Sequence, residues 1–130
     1  MKSYYSHLSS RKEFGEKIDN TRKPILRSSA VFPVVRNENY TSRINFLGYW
    51  LIKRKIPEVH LLITLRDQIG NTLYRKSKII LSVQAFSITL NSLLNDIQIP
   101  KDENFIGSIE TEFFTTQDMV FPYPALVLEY

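Results

Sequence analysis

The chain has 130 residues, 43% of them apolar and 12% aromatic, enough for one domain that buries roughly two-thirds of its unfolded surface. Cysteine is absent, which excludes disulfide staples, thiolate zinc sites and cysteine nucleophiles and fits a reducing compartment. The net charge of +4 hides an asymmetry: residues 1–55 carry twelve Lys and Arg against four acids, a balance of +8, and residues 56–130 carry five against nine, a balance of −4. Two readings follow, an anionic partner for the front half or a front half that folds against the back half. No apolar run approaches the roughly 18 residues of a membrane-spanning helix, and the N-terminus lacks a signal-peptide core. A cytoplasmic, soluble protein with no membrane partner is expected.

Residues 1–28 form a basic, polar arm. Ser10-Arg11-Lys12-Glu13 has the form of a capping box, and Phe14 and Ile18 then share one face of a short helix that Asn20 to Pro24 stops. The arm is read as that helix or as disordered chain, and residues 29–130 as the folded domain. Ser29–Arg36 reads as a strand, with Pro33 marking an edge or a bulge because proline cannot donate to a ladder. Asn37-Glu38-Asn39 is turn chemistry. Arg43–Lys53 alternates Ile44, Phe46, Gly48, Trp50 and Ile52 toward a core against Asn45, Leu47, Tyr49 and Leu51. Lys53-Arg54-Lys55 ends it.

Glu58–Arg66 alternates Val59, Leu61, Ile63 and Leu65 against His60, Leu62, Thr64 and Arg66. Asp67 opens a turn that Gly70 closes with a positive φ, and Asn71–Leu81 returns as the partner strand. Ala85–Leu90 is a further strand, and Asn91-Ser92-Leu93-Leu94 reads as one helical turn capped by Asn91. After a polar crossover, Phe105–Phe114 alternates Phe105, Gly107, Ile109, Thr111 and Phe113 against Ile106, Ser108, Glu110, Glu112 and Phe114. Thr115 to Asp118 is a loop and Met119–Tyr130 a last strand, bent at Pro122 and Pro124. About seven to eight short strands separated by turn signals predict an all-β, antiparallel β-sandwich, jelly-roll or immunoglobulin-like, with an open five-stranded barrel as the alternative.

No motif names a reaction. Glycines are isolated, so no phosphate loop forms, and no serine sits in a Gly-x-Ser-x-Gly elbow. His7 and His60 are too few for a histidine metal site. Glu110 and Glu112 share a strand face at about 6.5–7 Å, a separation that serves acid–base work or an ion clamp, or else an outward row facing Arg66 or Arg75. Tyr49, Trp50, Lys53 and Arg54 combine stacking faces with cations, and Arg36, Tyr40 and Arg43 lie nearby in sequence. The competing reading puts Trp50 in the core and the cations at a solvated strand end. Phe121-Pro122-Tyr123-Pro124 holds the backbone extended, either guarding an edge or presenting Tyr123 for stacking.

The expected ligand-binding residues are therefore Tyr49, Trp50, Lys53, Arg54 and Tyr123, with no catalytic residue, cofactor or metal. The expected function is a non-enzymatic binding or assembly module that holds a glycan or a protein through an aromatic-bearing sheet face or edge (Tyr49, Tyr123, Tyr130). Homo-oligomerisation through an edge strand is a variant of it. The alternative is a nucleic-acid-binding domain that uses the basic N-terminal half.

Overall fold

A computed structural model describes residues 26–48, 56, 58–115 and 126–130. Among the described residues seven strands and one helix follow in chain order: β1 (Leu26–Arg36), β2 (Arg43–Leu47), β3 (Val59–Asp67), β4 (Thr72–Ile80), β5 (Ala85–Thr89), α1 (Leu90–Asp96), β6 (Phe105–Thr115) and β7 (Val127–Glu129). They make two antiparallel sheets, one ordered β1-β6-β3-β4 and the other β5-β2-β7. The fold is the antiparallel β-sandwich that the alternation predicts.

Period-2 patterning builds the core. Leu61 faces Phe113 and Leu65 faces Ile109 across the β3–β6 ladder, so both rows point to the same side of the larger sheet. Ile44 and Phe46 of β2 and Phe86 and Ile88 of β5 form the opposing layer, and all are buried. Phe46 joins the layers: its ring stacks on Phe86 at 5.1 Å and meets Phe113 edge-on at 5.4 Å. Leu90, Leu93 and Leu94 of α1 close one part of this core.

β1 is an edge strand, which is where Pro33 is tolerated, and it begins at Leu26, ahead of the expected start at Ser29. The β3–β4 turn is tied by Asp67, whose carboxylate accepts the Ile69 and Asn71 amides at 3.1 and 2.8 Å, and Gly70 adopts φ +93°.

Four local expectations are corrected. β2 ends at Leu47, where the Gly48 amide still donates to the Gln84 carbonyl, and residues 49–55 lie outside the described residues. β5 stops at Thr89, and Leu90 already belongs to a helix longer than one turn. The cap of that helix is Thr89, whose hydroxyl accepts the Ser92 amide at 3.3 Å; Asn91 sits inside the first turn instead. A threonine with extended backbone (φ −98°, ψ 135°) can end a strand and cap a helix at once. Finally, Thr64 is 0% exposed although it alternates onto the outward row, because it sits mid-sheet between the longer side chains of Glu110 and Arg75 in register.

Candidate functional site

Tyr49, Trp50, Lys53, Arg54 and Tyr123 all lie outside the described residues. Tyr130 is described: it is exposed, and its hydroxyl donates to the Pro33 carbonyl at 3.2 Å, linking the smaller sheet to β1.

Glu110 and Glu112 occupy the outward row of β6, where register places them between Val31 and Ser29 of β1 and Thr64 and Leu62 of β3. Two arginines flank them. Arg66 donates to Glu110 at 2.9 Å, and Arg27 contacts Glu112 at 2.7 Å and Glu110 at 3.5 Å. Both carboxylates are thus tied into a four-residue ion network across β1, β6 and β3. Of Arg66 and Arg75, the two arginines expected opposite this row, Arg66 makes the contact with Glu110.

Arg43 of β2 pairs with Glu129 of β7, directly opposite in register. The guanidinium, with Asn45, holds the Glu129 carboxyl below the usual carboxylate range. Arg27 and Arg43 are therefore bound to acids of the back half, so part of the charge asymmetry is internal to the domain.

A cavity of about 450 Å³ lies where β1 ends. Arg36, the last residue of β1, contributes to its wall, the loop 37–41 forms one side, and Asn91, Asn95 and Lys101 form the other. Asn37 shapes the loop. Its side-chain oxygen accepts the amides of Asn39 and Tyr40, both at 2.8 Å, and its own amide donates to the Tyr40 carbonyl at 2.9 Å. This tight turn leaves Tyr40 57% exposed at the cavity.

Asn91 and Asn95 stand four residues apart on one face of α1. The Asn91 side-chain oxygen accepts the Thr41 hydroxyl at 3.1 Å, and the Leu90 amide donates to the Ser42 carbonyl at 3.0 Å, which fixes the helix to the loop. Ser42 is buried, accepting the Val35 amide and donating to the Val35 carbonyl.

Arg36 is 5% exposed. Its guanidinium donates to the Pro100 carbonyl at 2.7 Å and to the Glu103 carbonyl at 2.9 and 3.1 Å, with a longer 3.4 Å approach to the Asn91 oxygen. Every acceptor is neutral. These bonds pin the 100–103 segment to the end of β1 and carry Lys101 to the cavity.

A second cavity of about 110 Å³ opens between β4 and β5. Lys78 lies 4.9 Å over the Phe86 ring there. Lys76 contacts Asp96 at 3.4 Å, and Asp96 also accepts the Tyr74 hydroxyl at 3.1 Å. Partial burial first, and then Asp96, push the Tyr74 phenol up.

From sequence, Asn91 reads as a helix cap rather than a site residue, and Asn95 and Lys101 carry no expected role. The signal that could have found them is the amide pair four apart beside a turn already rich in Asn. Among the described residues, no cluster of three His, Asp or Glu could hold a metal ion, and no helix is long and apolar enough to cross a membrane.

No family model matches the sequence, and no curated protein matches it. Among solved structures the chain is similar to the Anabaena sensory rhodopsin transducer, at 10% identity over 79% of this chain and 95% of that one, with a TM-score of 0.43. A likeness of that degree carries no functional argument.

Proposed function

We propose that this chain is a non-enzymatic binding module that takes a glycan in the cavity at the end of β1. The supporting observation is the cavity's chemistry. Its wall combines the amides of Asn37, Asn39, Asn91 and Asn95 with the exposed ring of Tyr40. Asn39 and Asn95 each bring an amide donor and acceptor, which suits the vicinal hydroxyls of a sugar, while Asn37 and Asn91, whose oxygens already accept within the loop and from Thr41, bring N–H donors. An exposed tyrosine adds a flat apolar face for the ring's C–H groups and a polar tip. The volume of about 450 Å³ falls within the range of roughly 300–1,000 Å³ common for small-ligand sites.

The non-enzymatic reading is supported by Glu110 and Glu112, the carboxylate pair best spaced for acid–base work, being engaged by Arg27 and Arg66. The nucleic-acid alternative loses support from the same pairing. A strand of phosphates would have to compete with Glu112 for Arg27 and with Glu129 for Arg43.

The test is a glycan array probed with the full chain, followed by calorimetric titration of the best ligand. Tyr40→Ala is expected to weaken binding about tenfold, equivalent to about 1.4 kcal/mol, without moving the melting temperature, because the ring is largely exposed. Retention of no glycan, or a Tyr40→Ala variant that binds as tightly as the parent, would overturn the reading.

A further inference from the structure

Resting on the glycan reading, we infer that the cavity selects an acidic sugar, one whose carboxylate or sulfate meets the positive charge of Arg36 and Lys101. The argument begins with an uncompensated buried charge. A guanidinium carries a permanent positive charge and five N–H donors. Arg36 is buried, yet no carboxylate comes within ion-pair distance of it among the described residues. Its partners are two backbone carbonyls and one amide oxygen, and these satisfy donors without supplying negative charge. Taking an ion out of water without a counter-charge is unfavourable, and such charges in folded proteins are ordinarily paired.

Donor counting points the same way. Nε has one proton, and it goes to the Glu103 carbonyl; Nη2 has two, and these go to the carbonyls of Pro100 and Glu103. Nη1 has two protons and only the 3.4 Å approach to Asn91. One Nη1 proton is left without an acceptor among the described residues, on a residue that contributes to the cavity wall. Lys101 adds a second cation to the same wall, with no ion pair of its own among the described residues. Glu38 is the one carboxylate there, and it is exposed and does not pair with Arg36. The wall therefore keeps a positive balance facing its amides. A neutral sugar would use the amides and Tyr40 and leave that balance unmet, whereas an acidic sugar supplies both parts.

The experiment titrates the full chain, followed by heteronuclear NMR, with methyl β-glucuronide, methyl β-glucoside and inorganic sulfate at matched ionic strength. The two glycosides differ at C6, a carboxylate against a hydroxymethyl group. Methyl β-glucuronide is expected to bind at least tenfold more tightly than methyl β-glucoside, and Lys101→Gln is expected to reduce that ratio about threefold. Lys101 is exposed, so this variant tests the charge without disturbing the buried arginine. Equal affinity for the two glycosides, or a ratio untouched by Lys101→Gln, overturns the acidic-sugar inference and leaves the glycan reading standing. Binding of sulfate with neither glycoside bound overturns the glycan reading and the inference with it, and shows an anion site for a free ion.

Discussion

Gly107 lets β6 lie against β3. A Cβ built on it would stand 2.1 Å from the Arg66 carbonyl oxygen and 2.8 Å from the Phe105 ring. A ring can turn aside, but that carbonyl belongs to a strand hydrogen-bonded on both flanks, so it cannot retreat without opening a ladder. Gly107→Ala is therefore expected to cost about 3 kcal/mol, the upper end for overpacking a well-ordered interior, read as a lower urea midpoint. In the sequence this glycine appears only as a gap in an inward-facing row; a close approach of backbone to backbone leaves no trace in residue type. Arg36 was equally opaque. It ends an alternating strand like any surface cation, and only the return of the 100–103 segment, far along the chain, buries it.

At the scale of one element, α1 shows how a short helix is bounded. Seven residues are too few for helical propensity to sustain alone, so its ends and its three buried leucines hold it. At its C-terminus the Ile99 amide donates to the Leu94 carbonyl and the Gln98 amide to the Asn95 carbonyl, each at 3.0 Å. This is the Schellman arrangement, and it puts Gln98 at φ +62°, a conformation that costs a side-chain-bearing residue energy. Gln98→Gly removes a left-handed cost of about 1–2 kcal/mol against an entropic loss of about 0.5–1 kcal/mol, so a modest net stabilisation is expected, seen as a higher thermal midpoint. A glycine at Gln98 would have marked the helix end in the sequence; glutamine hid it. The start was misplaced for a related reason. Asn91 has the residue type of a cap, but Thr89 satisfies the free amide first and leaves Asn91 to the cavity. The strands were more legible, because burial on one face imposes a period that no local substitution disguises, as in Val59, Leu61, Ile63 and Leu65. Outward residues followed that rule less faithfully: Thr64 is buried by its neighbours' length.

For the molecule as a whole, two acids, Asp67 and Glu129, sit where hydrogen bonds hold them ionised. Burial works to raise the Asp67 carboxyl, but bonds from Asn71, Ile69 and Gly70 outweigh it, and Glu129 is held down by Arg43 and Asn45. A carboxyl lowered in the folded state adds stability that is complete above its unfolded value, about 4, and disappears as pH falls through the lower folded value. The melting temperature is therefore expected to be flat from pH 7 to about 5 and to fall below about 4. Asp67→Asn should start lower at pH 7 and lose less on acidification; an equal acid loss in that variant would show that the turn carboxylate is not a contributor. Where this turn projects, Ile69 is 83% exposed, with its backbone amide held by Asp67 and its side chain outside the core. In a chain with no cysteine, that side chain is a ready attachment point. Ile69→Cys would create a unique thiol for a fluorophore or spin label, giving a direct optical or magnetic view of the molecule with the core left unaltered.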